Sequence, residues 1–173
     1  LADQSQFGKA WRYELVDGVI VAHAAPSPDH GAILAGLATA LGARLTNHES
    51  GCRPEIGSGA APKSQQSATA RIPDATIRCS DEPRAVFEIV STSELRSWRA
   101  RDRKRADAQD VVGVAEIMEI YQDEAALHLY RKQADGRCVM EAVGGLDAVL
   151  RLETVDLSIP LSEIYAFVQL DAE

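Results

Sequence analysis

Two carboxylates frame the stretch "IPDATIRCSDEPRAVFEIV", residues 72 to 90: Asp74 near its start and Glu88 near its end. Ala85, Val86, Phe87, Ile89 and Val90 surround Glu88 with apolar side chains, the pattern of a strand covered on both faces. A glutamate in such a run is almost never buried unless something pairs with it. If the stretch is an antiparallel hairpin with a short loop centred near Asp81, one register puts Asp74 opposite Glu88 and Thr76 opposite Val86. Opposed residues project to the same face, with Cβ atoms about 4.5–5.5 Å apart. Two like charges so placed call for a cation between them. Mg²⁺ or Mn²⁺ meets that need, because Mg²⁺ characteristically takes one or two carboxylates plus waters and substrate phosphate. A slip of one residue would send the two carboxylates to opposite faces. The structural alternatives are an ion pair of Glu88 with Arg84 or Arg99, and an Asp74 bonded to its own backbone.

A cation-bearing segment follows. Residues 96 to 105, "RSWRARDRKR", hold six of the chain's 18 Lys and Arg against one Asp. At helical spacing Ala100, Lys104, Ala108 and Val111 share one small, apolar face, so that face is expected to pack inward with Lys104 on it. Arg101, Arg103 and Arg105 are expected to flank it and point outward. A lysine aimed at a metal-bound water can orient it, stabilise hydroxide and neutralise charge in a phosphoryl-transfer transition state. The alternative is a lysine whose stem packs while its head reaches water. Arg96, Arg99, Arg101 and Arg103 are the candidates for phosphate contacts. The net charge of −8 opposes nonspecific nucleic-acid binding by the surface as a whole, but a local patch can still meet a phosphate backbone. Glu14 and His30 are weaker site candidates: one lies on a predicted hairpin, the other in the first turn of a predicted helix. Ser91, Thr92 and Ser93 have no His or Asp in a supporting motif and are read as caps. "GSG" at 57 to 59 is too weak for a phosphate loop.

The elements that must position these groups follow from periodicity and turn chemistry. "WRYELVDGVIV" reads as a hairpin turning at Asp17-Gly18. Ser27 or Asp29 can cap a helix whose apolar positions Ile33, Leu34, Leu37, Leu41 and Leu45 recur at helical spacing, ending near Thr46. Residues 50 to 71, rich in Gly, Ser, Ala and Gln, read as an irregular loop with a short strand near 53 to 59. "ATIRCS" and "AVFEIV" are strands, Ser97 to Val112 a second helix, "EIMEIYQ" and "ALHLYR" a hairpin, and "CVMEAV" another strand. "SIPLSEIYAFV" reads as a short helix with Pro160 near its start. The order predicts an α/β (α+β) domain built around one mixed sheet, spanning residues 1–173 as a single unit.

Taken in order, "YELVDGVIV", "PSPDH" opening a helix, "IPDATI", "FEIVSTSE", a Lys/Arg-bearing helix and "GVAEIMEIYQDEAALHLYR" resemble the Uma-type restriction endonuclease family, a group within the PD-(D/E)XK nuclease superfamily. The resemblance covers most of the chain. It implies a restriction-endonuclease-like mixed sheet flanked by helices, with an N-terminal β-hairpin. It implies that Pro73-Asp74 supplies the "PD" and Glu88 the "(D/E)". Val90 stands where the superfamily's lysine usually sits, so by the resemblance the lysine comes from the following helix as Lys104, with Arg105 the next candidate. In this scheme the backbone carbonyl of Ile89 completes the metal site.

The function so implied is Mg²⁺- or Mn²⁺-dependent hydrolysis of DNA phosphodiester bonds. A catalytically silent binding or regulatory module with the same fold is the alternative, which the acidic charge favours and the intact Asp, Glu and Lys set opposes. A dimer is expected by analogy with nucleases that cut two strands. No apolar run approaches the ~20 residues of a membrane helix, so no membrane partner is expected. The chain starts at Leu1 rather than Met, and its first residues show no signal-peptide pattern. Cys52, Cys79 and Cys138 are odd in number and widely spaced, and are read as reduced thiols of a cytoplasmic protein.

Overall fold

A computed structural model describes residues 10–46, 48, 51–58 and 68–170. The N-terminal hairpin is β1 (Ala10–Val16) and β2 (Val19–Ala24). Its two-residue turn holds both Asp17 and Gly18 at positive φ, the backbone twist that joins antiparallel strands most directly. Helix α1 (Pro28–Leu45) starts where Ser27 accepts the amide of His30 at 3.1 Å, with Pro28 in the first turn. Its buried stripe of Ile33, Leu37, Leu41 and Leu45 lies on the sheet.

The main sheet has the strand order β3-β4-β5-β6-β7-β8. Its strands are β3 (Cys52–Ile56), β4 (Ala75–Cys79), β5 (Glu82–Val90), β6 (Glu116–Tyr121), β7 (Ala126–Lys132) and β8 (Cys138–Gly144). Every neighbouring pair is antiparallel except β5 and β6, which run parallel. Parallel neighbours require a crossover. It is made by α2 (Thr92–Leu95), capped reciprocally by Ser91 and Glu94, and α3 (Trp98–Gln109).

The period-2 alternation of the strands sorts the two faces. Ala75, Ile77, Ala85, Phe87, Ile89, Met118, Ile120, Leu127 and Leu129 face α1 and form the main core. The other face carries Val86 and Ile117, which pack with Val111 and Val114, and it is there that the strand carboxylates stand. A small second sheet of β9 (Val149–Leu152) and β10 (Leu157–Pro160) leads into α4 (Leu161–Ile164). Helix α4 meets α1 so closely that a Cβ on Gly36 would lie 2.2 Å from the Ile164 carbonyl oxygen.

Several expectations need correction. The segment read as one C-terminal helix is half strand, because Leu157 and Ile159 alternate inward against β9. Cys52 and Cys79 are not free thiols. They stand directly opposite each other across β3 and β4, with Cα atoms 4.0 Å apart, and form a disulfide. Cys138 is the free one. The inference from reduced thiols to cytoplasm therefore loses two of its three thiols. The centre of the expected 50–71 loop, residues 59–67, lies outside the described residues. Among the described residues no helix is long and apolar enough to cross a membrane.

Candidate active site

The hairpin β4–β5 has the register that the two carboxylates require. Ala75 pairs with Phe87 and Thr76 with Val86, so Asp74, one residue before β4, continues that ladder toward Glu88. The turn is tighter than expected: Ser80-Asp81 alone separates the strands, with Ser80 at positive φ. A bulge at Arg84, beside Pro83, absorbs the extra residue before the aligned part begins.

Asp74 and Glu88 are 5% and 8% exposed. The Asp74 Oδ2 accepts the Ile89 amide at 2.8 Å, which locks the carboxylate to β5. Its Oδ1 accepts from Arg12 at 3.0 Å and lies 3.3 Å from His30 Nε2. Burial alone would raise the Asp74 pKa. The His30 hydrogen bond, the Lys104 charge and the Ile89 amide outweigh it and hold the carboxyl down at about 2. Glu88 has the opposite balance. Burial pushes it up, the Asp74 charge adds to that, and Lys104 opposes without cancelling, leaving it at about 8.

Lys104 reaches this pair from α3, its Nζ 2.5 Å from Glu88 Oε2. Its phase on the helix is the expected one: Ala108 and Val111 share its inward side, although Ala100 at the open end is exposed. The ammonium also acts on Asp74 and on Glu14. The Glu88 Oε2 is buried and lacks an aligned hydrogen-bond donor despite the short ion contact. That orphaned oxygen, beside an Asp74 with its own lone pairs, suits a hard cation with oxygen ligands. Among the described residues no three His, Cys, Asp or Glu side chains gather as a fuller shell. Two carboxylates are what Mg²⁺ ordinarily asks of a protein.

Glu14 and His30 both border the site. Glu14 is 2% exposed and accepts from the Ile72 amide at 2.9 Å, from Arg71 at 3.1 Å, and contacts His23 at 3.0 Å. Burial works against its charge, and the Ile72 amide, Arg71, Lys104 and His23 together bring its pKa below normal. Arg71 continues to Asp107 on α3 at 2.8 Å, so the N-terminal hairpin, the chain before β4 and the lysine helix are tied by one polar chain.

Arg101 and Arg105 do not point outward as expected. Both turn toward the sheet, 3.5 Å and 2.9 Å from Glu119, a β6 residue only 2% exposed. Arg105 therefore serves Glu119 and is not positioned on Glu88. Arg96, Arg99 and Arg103 are exposed, and Arg103 pairs with Asp17 across from the hairpin turn. The expected alternative partners of Glu88 are occupied elsewhere: Arg84 lies near Glu82 and Arg99 over Trp98.

Arg12, Arg71 and Glu119 were not singled out from sequence. Arg12 had a signal, since it is two residues before Glu14 on a strand and so shares its face. Glu119 had a stronger one. "MEIY" repeats the pattern of "FEIV", and the two glutamates stand side by side in the parallel register. Arg71 had no signal, because it lies in an irregular segment.

The family model Uma2, described as "Putative restriction endonuclease", matches residues 2–162. The chain belongs to the Uma2 family. Its fold is also that of a crystal structure from Anabaena variabilis ATCC 29413, described as a "putative nuclease belonging to DUF820". The TM-score is 0.70 at 14% sequence identity, and the match covers 91% of each chain. No curated protein matches the chain. The Uma2 assignment agrees with the resemblance carried by the Asp74, Glu88 and Lys104 segments, and the structural neighbour supports the restriction-endonuclease-like mixed sheet.

Proposed function

We propose that this Uma2 chain, acting as one domain, is an endonuclease that hydrolyses phosphodiester bonds in DNA with Mg²⁺ or Mn²⁺. The observation that carries this is the convergence of Asp74, Glu88 and Lys104 from two strands and a helix on one buried spot. Asp74 and Glu88 would hold the metal, with the Ile89 carbonyl as a third oxygen ligand. When bound, the metal supplies Lewis acidity toward a phosphoryl oxygen and lowers the pKa of its water.

The protein's own groups account for the rest. The Ile89 amide and Arg12 fix the rotamer of Asp74, so its charge is in place before substrate arrives. Lys104 keeps Glu88 partly ionised against desolvation and, once released from it, donates to the attacking water or to the phosphoryl oxygens on which charge develops. Arg99 and Arg103 lie at the solvent side of the same helix and Arg96 is exposed just before it, where phosphates can approach. The reading carries with it a cytoplasmic location, where the DNA substrate would be met, and cutting both strands would call for a second copy.

Supercoiled plasmid tests this directly. Wild-type protein should nick or linearise it with Mg²⁺ or Mn²⁺ and not with chelator, and Glu88→Gln should be inactive while retaining the fold. Wild-type protein that binds plasmid but leaves it intact under every metal would establish the silent binding module instead.

A further inference from the structure

The first turn of α3 is uncovered. Trp98 is 58% exposed, and the guanidinium of Arg99 sits 5.2 Å from its ring centroid. Arg96, Arg99 and Ala100 are exposed beside it. Among the described residues no carboxylate pairs with Arg96 or Arg99, whereas Arg101 and Arg105 are engaged by Glu119 and Arg103 by Asp17. The patch is therefore an indole with the Arg99 guanidinium over one face and its other face open, with Arg96 two residues before it, neither arginine matched by a carboxylate among the described residues, on a chain whose net charge is −8. Its occupant must be aromatic or apolar on one side and negative on the other.

We propose that Trp98 is a stacking platform for an unpaired DNA base, with Arg96 and Arg99 holding the adjoining phosphates. This rests on the endonuclease reading and specifies its substrate: DNA that is single-stranded or carries an unpaired base. A duplex cannot offer the face of a base to an indole, because both faces are covered by neighbours in the stack. A single strand, a bulge or an extruded base can. Charge complementarity favours a polyanion over a protein partner, since two arginines without a carboxylate partner stand beside the indole on a chain that is acidic as a whole. Trp98 also lies on the helix that carries Lys104. Six residues at ~1.5 Å each separate them by ~9 Å along the axis. A separation of that order puts the stacked base within a few nucleotides of the bond at Lys104.

The test uses the full chain in chelator, so that binding is read without cutting. Labelled single strands, duplexes and duplexes with one unpaired base are compared by anisotropy, and binding is also followed by tryptophan fluorescence. The protein should prefer the single strand and the bulged duplex, and binding should quench its fluorescence. Trp98→Phe should retain most affinity but lose the quenching that Trp98 supplies, leaving only Trp11 as a reporter. Trp98→Ala should lose about 5- to 150-fold in affinity with its salt dependence unchanged, the range expected for loss of one base–aromatic stack. Arg96→Gln with Arg99→Gln should instead flatten the salt dependence. With metal restored, cuts should cluster within a few nucleotides of the unpaired base.

Equal affinity of wild type and Trp98→Ala for single strands would overturn the proposal, as would a change in oligomeric state of Trp98→Ala, which would mark the patch as a protein interface. The two readings separate cleanly. Stacking without cleavage under any metal sinks the endonuclease and leaves the platform. Cleavage of plain duplex that Trp98→Ala does not alter sinks the platform and leaves the endonuclease.

Discussion

Lys104→Met removes the ammonium while keeping most of the stem that packs beside Ala108. Glu88 and Lys104 are 10% and 17% exposed at their side chains, so solvent screens their attraction little. Breaking a buried pair by deleting one partner typically costs about 3–5 kcal/mol. At about 2–4 °C per kcal/mol for a chain of this size, the melting temperature should fall by about 6–20 °C. The loss should depend on pH, and its sign follows from Glu88. Its folded pKa is raised from 4.5 to about 8, so its contribution to stability is full below 4.5 and is lost as pH rises through 8. Lys104 itself is held above its usual value and stays charged throughout this range. Near pH 5 Glu88 carries its proton in both proteins, and the deficit should be smallest, limited to the lost attraction of the ammonium for Asp74 and Glu14. Near pH 9 the wild type ionises Glu88 against Lys104, the variant cannot, and the deficit should be largest. Thermal melts in chelator at several pH values measure this. The same variant should keep a stabilising response to Mn²⁺, because both carboxylates remain. Its cleavage rate should drop ~10²–10⁴-fold. A pH-independent deficit would show that the ion pair does not carry the stability assigned to it. Cleavage at the wild-type rate would show that the ammonium does not prepare the attacking water.

Three further outcomes follow from the packing. Glu119→Ala strands Arg101 against a buried face, while Arg105 keeps Asp102, and should cost about 3–5 kcal/mol in a urea titration with unchanged slope; a loss under about 1 kcal/mol would mean that water already solvates Arg101. Gly36→Ala should destabilise by about 1–3 kcal/mol or more, since its Cβ would meet the Ile164 backbone, whereas Gly42→Ala, with nothing within 4 Å, should stabilise by about 0.5–1 kcal/mol; equal effects on thermal melting would refute the close α1–α4 contact. Reducing Cys52–Cys79, 27 residues apart in sequence, should cost about 3.5 kcal/mol on the loop-entropy model, and Cys52→Ser with Cys79→Ser should make the melt indifferent to reductant.

Local rules in the sequence were enough for the elements that centre the site. The Asp17-Gly18 turn, the Ser27 cap and the apolar run around Glu88 each act within a few residues, and each is where it was expected. The register of β4 and β5 is the expected one for a reason no local pattern states: the two-residue turn pairs Arg78 with Pro83, one residue off the required alignment, and the bulge at Arg84 restores it so that Asp74 meets Glu88. The orientation of α3 was legible only in part. Its small inward residues placed Lys104, but they could not show that Glu119 on the next strand would draw Arg101 and Arg105 in as well. That contact depends on β6 lying parallel beside β5, which no local pattern states. The same holds for Arg12 and Arg71, which reach the site from separate segments, and for Cys52–Cys79. The spacing of two cysteines says nothing of pairing until the strands between them are set side by side. The final strand β10 was hidden because four residues with Pro at one end suit a helix start as well as a strand end.

The parallel pairing of β5 and β6 makes the lysine a portable part. A chain that leaves one strand and enters its parallel neighbour must pass over one face of the sheet, and here it passes over the face that carries Glu88 and Glu119. Connectivity therefore suspends a helix above both acids whatever residues the helix contains. Any turn of that helix can offer an ammonium to the carboxylate beneath it, at intervals of ~5.4 Å. The strand is freed in exchange: Val90, two residues beyond Glu88, is 3% exposed and serves the packing instead of the chemistry. A fold with this crossover can relocate its cation by a single substitution on a surface helix and keep its sheet untouched, a route to new cleavage geometry that an all-antiparallel sheet would not provide.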